Sequence, residues 1–580
     1  MVAMFVDTVP NRNSRPAILL REGWREAGRI KKRTLANLTD WPQAQVEALR
    51  AVLRGELSVL APADPFSIER TRPHGHVAAT LGTLRRLKLD SVIATKRGPE
   101  REAVLAMIVA RILKPRSKLA TARELSAATL SSTLGELLEL SDCDEEQLYR
   151  AMDWLLPRQA QIEQTLARRH LSDATLALYD VTSTYFEGRC CPLARYGYSR
   201  DHRPDKLQIN LGLLTNAEGC PVAVEVFEGN TADPGTLGPV LLKLRQRFEL
   251  KRIVLVGDRG LITSARIRAE LEGQPGLDWI TALRAPQLQQ LRAGGALQLS
   301  LFDEKDLAEI SDPAYPGERL IACRNPLLAE ERARKRAELL AATERKLGEI
   351  VTATQRPRNP LRGKDQIALR VGTALARYKM RKHFRLSIAE TDFSFTRDEQ
   401  SIAVEAALDG IYVIRTSLPA EALAADEAVR SYKRLAQVEQ AFRSLKSVDL
   451  KVRPIHHRLE QRVRAHVLLC MLAYYVEWHM RQALAPLLFD DDAPAAAEAA
   501  RSSVVAPAQR SPRARHKAAT KLTDHDLPVH SFDTLLSDLA TVAKNRLLPK
   551  TKDPIAFDVI TTPTPLQQRA FDLLAINYRM

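Results

Sequence analysis

Three acidic residues in separate parts of the chain have the chemistry of a metal-dependent phosphoryl-transfer site. They are Asp180 in LALYDVTSTYFEG, Asp258 in RIVLVGDRGLITSARI and Glu439 in YKRLAQVEQAFRSLK. Carboxylates hold Mg²⁺ while leaving positions for water and phosphate oxygens. Two such ions about 3.5–4 Å apart stabilise both the attacking and the leaving oxygen of a phosphodiester. A fold that gathers the three acids therefore predicts phosphodiester chemistry.

Each acid also has an ordinary explanation. Asp180 and Asp258 can be turn or cap residues, and Asp258 stands directly before Arg259 and Gly260. Glu439 precedes Arg443 by four positions, the spacing of a surface ion pair worth a few tenths of a kcal/mol. The occurrence of two predicted strand-end aspartates followed by a helical glutamate favours one catalytic site over three unrelated structural roles.

Two strands and a helix must position these acids. The apolar run 175–181 predicts a strand with Asp180 near its end, and 253–256 predicts a buried strand that stops just before Asp258. Neither proline nor glycine occurs between Pro419 and Pro454, and apolar residues recur there at helical spacing. Two helical turns then bring Tyr432, Glu439 and Lys446 to nearly the same face.

The intervening segments predict a mixed sheet. Strands are expected at 206–214, 222–227 and 279–283, a helix at 237–248, and a returning strand at 410–417. Three neighbouring strands, a helix and another strand are the order of a ribonuclease-H-like fold, and the 78 residues from Asp180 to Asp258 leave room for it. The predicted fold class is α/β.

These motifs resemble the DDE transposases of bacterial insertion sequences, in the branch whose third acid lies in a Tyr, Arg, Glu, Lys helical motif. The resemblance runs from about Leu148 to Met480. It implies that Asp180, Asp258 and Glu439 are the catalytic and metal-binding triad, with Asp180 bridging two Mg²⁺ ions and Mn²⁺ as a substitute. It also implies binding of terminal inverted repeats, cleavage, joining of 3′ ends to target DNA, and a homodimer in a synaptic complex. The motif arginine is replaced by Leu435, which leaves Arg434 or Arg443 to take its role.

Basic residues near the acids predict contacts to double-stranded DNA. On the helix these are Arg434, Arg443 and Lys446, joined by the motif tyrosine Tyr432. The loop YGYSRDHRPDK mixes aromatic and basic residues and adds Arg200, Arg203 and Lys206, and the basic run after the helix adds Arg453 and His456. The alternative is an exposed polar connection, but DNA contact is favoured because the loop leaves from the strand that carries Asp180.

Composition agrees with a polyanionic partner. Lys and Arg exceed Asp and Glu by 16, and the pI is near 9.6. The six cysteines show no zinc-binding spacing and are expected to be reduced, and no apolar run approaches the about 18 residues of a membrane span. We therefore expect a cytoplasmic protein, associated with the nucleoid when bound to DNA, and no membrane partner.

Six regions are predicted along the chain. Residues 1–171 form a mostly helical region, either a DNA-end recognition domain or a bundle with a solvated basic surface. The catalytic core occupies 172–283 and 410–489, interrupted by an insertion domain at 284–409; a low-complexity, mobile linker (490–530) and a C-terminal segment (531–580) follow. Two other functions stay open, a metal-dependent nuclease without strand transfer and an inactive DNA-binding descendant.

Overall fold

The computed structural model describes residues 3–11, 15–26, 29–54, 66–129, 131–172, 175–303, 305–550 and 555–580. The first region begins with an antiparallel three-stranded sheet and continues as short helices. Its elements are β1 (Ala3–Val9), β2 (Ala17–Glu26), β3 (Arg29–Asn37), α1 (Gln43–Leu53), β4 (Phe66–Pro73), α2 (Gly75–Arg86), α3 (Leu89–Ile93), α4 (Pro99–Leu113), α5 (Lys118–Leu125), α6 (Leu134–Leu137), α7 (Glu145–Leu155) and α8 (Gln159–His170).

The sequence of residues 34–56 predicts a helix punctuated by Pro42, but the helix that forms is shorter. Residues up to Asn37 continue β3 and pair with β2, and α1 begins only after Pro42. Proline suits the start of a helix because it lacks the donor that an interior position requires. Residues 55 and 56 lie outside the described part of the chain.

The first half of the core agrees closely with the predicted order. It contains β5 (Thr175–Tyr185), β6 (Gln208–Thr215), β7 (Pro221–Glu228), α9 (Leu237–Leu242), β8 (Ile253–Val256), α10 (Ser264–Arg266) and β9 (Leu277–Ala282). The expected helix at 237–248 finishes as a π-helical turn, Lys243–Arg247. β5 is four residues longer than predicted, so Asp180 lies in mid-strand and not near its end.

The insertion does not form a wholly separate unit. It contains α11 (Ala285–Ala293), β10 (Leu307–Ile310), β11 (Arg319–Arg324), α12 (Pro326–Thr354), α13 (Lys364–Tyr378), β12 (Phe384–Ile388), β13 (Phe393–Arg397) and α14 (Glu399–Ala406). The two long helices and the β12–β13 hairpin enclose a small core of their own. β10 and β11, however, extend the main sheet.

The second half of the core supplies β14 (Ile411–Thr416), α15 (Ala425–Lys433), α16 (Leu435–Arg443) and α17 (Glu460–Leu484). The eight-stranded sheet has the order β10-β11-β14-β9-β8-β5-β6-β7; β8 runs parallel to β5 and β9, and the other pairs are antiparallel. This mixed sheet, with helices packed on it, agrees with the predicted ribonuclease-H-like class. Within α17, residues 467–476 are buried, as their apolar sequence predicts.

The segment predicted to be a mobile linker is packed against the core. It forms α18 (Pro494–Ala499) and α19 (Pro512–Thr520). Val505 is fully buried, and the Nζ of Lys517 donates to the carbonyls of Ala485 and Asp490 at 2.8 Å. The prediction of a linker was wrong because small and charged residues were interpreted as solvated, whereas here they pack and pair.

The C-terminal segment returns to the first region. It contains α20 (Phe532–Leu539), β15 (Ala543–Pro549), β16 (Phe557–Ile560) and α21 (Pro565–Leu574). β15 pairs with β4, and His74 Nε2 lies 2.6 Å from the carbonyl oxygen of Tyr578. The sequence of residues 532–546 predicts a helix, but α20 ends at Leu539 and the residues from Ala543 onward form β15 of this sheet. In the part of the chain that is described, no helix is long and apolar enough to cross a membrane.

Candidate active site

The register of two parallel strands determines the relation between the two aspartates. β5 and β8 pair with Thr175 opposite Ile253 and Leu178 opposite Val256, an offset of 78 residues. The same offset separates Asp180 from Asp258. Asp180 and Asp258 each lie two positions beyond the last pair, Leu178 and Val256, so they come to the same level on neighbouring strands. Residues two apart along a strand share a face, so both aspartates are expected on the same face of the sheet.

Asp258 is held by the turn that follows β8. Its Oδ1 accepts the backbone N–H groups of Gly260 at 3.0 Å and Leu261 at 2.7 Å. Gly260 crosses close over the carboxylate, since a Cβ added there would lie 3.2 Å from Oδ2. Asp258 is thus a turn residue, as its ordinary explanation predicted, and the same turn fixes its carboxylate at the end of the strand.

Glu439 approaches the aspartates from a helix. α16 packs against β5, and its apolar residues Leu435, Val438, Ala441 and Phe442 are buried at the spacing of a helical stripe. Glu439 lies on the exposed side of that stripe. The predicted continuous helix is divided: a turn at Arg434 separates α15 from α16, and a π-helical turn, Ser444–Val448, ends it.

An open pocket of about 440 Å³ collects the three acids and four basic side chains. Asp180, Asp258 and Glu439 line it together. Its basic lining consists of Arg200, Arg443, Lys446 and Arg453. The arrangement combines oxygen ligands for a hard cation with groups that bind phosphate, which is the chemistry that phosphodiester cleavage requires.

Asp180 has the most perturbed carboxylate of the pocket. Its burial raises the pKa from 3.8 to about 7, and the charges of Asp258 and Glu439 act in the same direction. The N–H of Val181, which donates to Oδ1 at 2.8 Å, and the charge of Arg200 oppose that rise. A cation bound beside Asp180 would favour its ionised form.

A fourth acid of the pocket, Asp201, was not identified from sequence. It is largely buried and pairs with Lys446 at 2.7 Å and with Arg453 at 2.5 Å. Lys446 also donates to Thr182 Oγ1 at 3.1 Å and to the Ser183 carbonyl at 2.7 Å. Its position in the basic loop beside Arg200 predicts a solvated residue, and only the three-dimensional contact with Lys446 reveals its role.

The predicted DNA-contact residues divide into two groups. Arg200, Arg443, Lys446 and Arg453 line the acidic pocket, although Arg200 also pairs with Asp233 at 2.5 Å. The other five, which do not line it, are Tyr432, Arg434, Arg203, Lys206 and His456.

Local pairing explains most of the second group. Arg434 pairs with Glu427 at 3.3 Å, Arg203 with Asp205 at 3.0 Å, and Lys206 with Glu187 at 3.1 Å. Burial raises the pKa of Tyr432 to about 12, with the charge of Asp258 as the next cause, and His456 lines a different cavity. Of the two arginines considered for the missing motif position, Arg443 is the one beside the acids.

The donor types in the pocket suit a hard divalent ion. Among the described residues, one group of three potential ligands has all its ligand atoms within 4.8 Å of one another: His170, Cys220 and His479. None of these lines the acidic pocket, and their softer donors suit zinc better than Mg²⁺. Within the described ranges, the three acids of the pocket do not form a group that meets this 4.8 Å criterion.

Comparison with known proteins gives two family matches. The model described as "Transposase DDE domain" matches residues 172–476, more than half of the chain. The model described as "IS1634 family transposase, N-terminal domain" matches residues 6–62. A comparison with curated proteins finds no match.

Among solved structures, the chain is similar to a piggyBac transposase in a synaptic complex with hairpin DNA, determined by cryo-electron microscopy. The identity is 9% and the TM-score 0.33, over 81% of this chain and 82% of the other. A TM-score this low does not establish a common fold. The family matches are sufficient without it, since they cover the strands and helix that bring the acids together: the chain belongs to the DDE transposases of insertion sequences.

Proposed function

We propose that the chain binds the terminal inverted repeats of an insertion sequence, cleaves DNA there by metal-dependent hydrolysis, and joins the 3′ ends to target DNA. The observation that supports this most directly is the single pocket in which Asp180, Asp258 and Glu439 meet four basic side chains. A DDE transposase domain implies dependence on a divalent metal. Mg²⁺ is the proposed ion, because oxygen ligands and retained water are its preferred environment.

Asp180, Asp258 and Glu439 would together hold the metal. Bound Mg²⁺ would supply stabilisation of negative charge on the attacking and leaving oxygens. Asp180 contributes most when ionised, and without a cation its raised pKa keeps a substantial fraction protonated near neutral pH. Metal binding and ionisation of Asp180 are therefore expected to favour each other.

The basic side chains would orient the DNA. Arg443 is exposed at the end of α16 and can contact a phosphate directly. Lys446 and Arg453 both pair with Asp201, so part of their expected role is to position the loop that carries Arg200 beside the acids. Cleavage at two ends further predicts a homodimer with one end bound by each chain.

The test uses purified protein and a DNA fragment carrying the inverted ends that flank its own gene, with Mg²⁺ and a supercoiled target. We expect cleavage at the ends and joined products from the wild type, and neither from Asp258→Asn or Glu439→Gln, while both variants still bind the DNA. An exposed acid outside the pocket provides the control, Asp142→Asn, which should retain activity. Cleavage without joined products would favour the nuclease, and binding without cleavage the inactive descendant.

A further inference from the structure

A second cavity, of about 680 Å³, lies between the first region and the segment that follows the catalytic helix. α4, α5 and α7 form one side, and residues 451–466 form the other. Seven lysine and arginine side chains and three histidines line it, and no aspartate or glutamate does so among the described residues. A cavity with this lining has a strongly positive potential and attracts anions.

The positive charge of the cavity is only partly compensated by acids elsewhere. Three of the seven cations pair with acids outside the lining: Arg116 with Glu124, Arg453 with Asp201 and Arg462 with Asp153. For the other four, no ion pair is found within the described residues. One of these, Arg111, makes long contacts of 3.4 Å to the carbonyls of Leu450 and Lys451.

Lys118 is the cation that most needs a partner. It is the first residue of α5, only 5% of it is exposed, and its ammonium group makes no hydrogen bond or ion pair within the described part of the chain. Its burial, reinforced by the charge of Arg111, lowers the pKa of the ammonium group to about 7. A buried cation without a counter-charge is costly, and an anion in the cavity removes that cost.

The backbone contributes in the same direction. The N-terminus of α5 opens on the cavity through Ser117 and Lys118, and the positive end of a helix dipole favours an anion there. His466 is buried in the same lining, and its Nδ1 has no hydrogen-bond partner.

We propose that this cavity binds backbone phosphate of the DNA strand that extends from the acidic pocket, with Lys118 and Arg111 as its principal contacts. Arg453 lines both cavities, so a strand can pass from one to the other without leaving basic surface. The volume exceeds that of a single phosphate group, and the lining comes from both the first region and the core. The inference rests on the proposed function, and it names a DNA contact that joins two parts of the chain.

The experiment compares Lys118→Met with Arg123→Met, an exposed arginine on the same helix that does not line the cavity. Each removes one basic side chain, and methionine occupies a similar volume to lysine. The probe is a fluorescein-labelled duplex of unrelated sequence, with Kd measured by anisotropy at several KCl concentrations without divalent metal. We expect Lys118→Met to weaken binding about tenfold and to reduce the slope of log Kd against log salt by about one.

Arg123→Met should leave the affinity nearly unchanged. Folding is checked by thermal unfolding, in which Lys118→Met should melt no lower than the wild type, since it removes an unpaired buried charge. Equal Kd and equal salt slope for wild type and Lys118→Met would overturn the proposal, because a properly folded variant would then lack the predicted defect.

Sodium pyrophosphate serves as the second probe and distinguishes DNA from a small anion. One outcome is that pyrophosphate competition requires Lys118 while duplex binding does not require it. That result would assign the cavity to a small phosphate and overturn the DNA proposal. The binding assay involves no cleavage. If the protein cuts no ends but Lys118→Met weakens DNA binding, only the proposed enzymatic function is refuted. If the protein cuts the ends but Lys118→Met leaves DNA binding unchanged, only this inference is refuted.

A pH series adds a readout that a purely structural lysine would not give. The groups facing Lys118 are Arg111, His457, His466 and Cys470. Burial lowers the pKa of both histidines, to about 3 for His457, and raises that of the thiol, so none of them titrates between pH 6 and 8. Wild-type affinity should therefore fall by up to tenfold per pH unit above about pH 7, and Lys118→Met should remove that part of the dependence.

Discussion

Replacing Asp180 by asparagine should stabilise the protein in a manner that depends on pH. Burial raises the pKa of this carboxyl from 3.8 to about 7, so the folded state retains its proton over a range in which the unfolded state has lost it. Stability contributed by the protonated group is complete below about pH 4 and is lost as pH rises through 7. A pKa difference of about 3 corresponds to about 4 kcal/mol, an upper limit on the cost of ionised Asp180 at pH 8.

The assay is thermal unfolding of wild type and Asp180→Asn between pH 4.5 and 8.5 in EDTA. The Tm of the variant should exceed that of the wild type by an amount that grows up to about pH 7 and is constant above it. Adding Mg²⁺ at pH 8 should raise the Tm of the wild type more than that of the variant, because the ion binds the ionised carboxylate and offsets the cost of its burial. The exposed Asp142→Asn serves as control and should show neither effect.

Two results would refute this reasoning. A Tm difference independent of pH would mean that Asp180 is not protonated in the folded protein near neutrality. Equal stabilisation of both proteins by Mg²⁺ would mean that the ion binds elsewhere. Either result would also remove the main electrostatic argument for a metal site in the acidic pocket.

Other predictions concern the surroundings of the pocket. Arg443→Met should reduce the slope of log Kd against log salt for DNA binding by about one, because it removes one phosphate contact. Lys446→Met should mainly lower the Tm, because breaking a buried ion pair costs about 3 kcal/mol or more. Equal salt slopes for the two variants would contradict this distinction. Gly212→Ala should lower the Tm, since the new Cβ would lie 2.3 Å from the hydroxyl of Tyr179, and an unchanged Tm would show that the ring moves freely. Lys433→Met removes donors to three carbonyls of the segment after α18, so trypsin should cleave that segment faster than in the wild type; an unchanged rate would mean that other contacts hold it.

Most strands of the core were predictable because their buried residues form short apolar runs. β8 was predicted without error, and the buried stretch of α17 was recognised from its composition. What sequence could not predict was pairing between distant segments. β10 and β11 join the main sheet from within the insertion, and β15 joins β4 across more than 450 residues.

Charged residues were the least predictable part of the site. The sequence position of a basic residue does not indicate which acidic side chain it will contact in the folded protein. Lys446 has the spacing of a phosphate ligand on the face of Glu439, yet its ammonium group is bound by Asp201. Arg434 and Arg443 were equivalent candidates in sequence, and only the packing of α16 on β5 places Arg443 beside the acids.

The two aspartates illustrate why the catalytic acids were nevertheless identifiable. Their separation of 78 residues equals the register offset between β5 and β8, so any pairing that buries both strands in this register must also bring the acids together. A slip of one residue would move Asp258 out of level with Asp180. The strand register therefore also determines the distance on which the chemistry depends, and inserting one residue between β5 and β8 should cost far less stability in a connecting loop than within either strand.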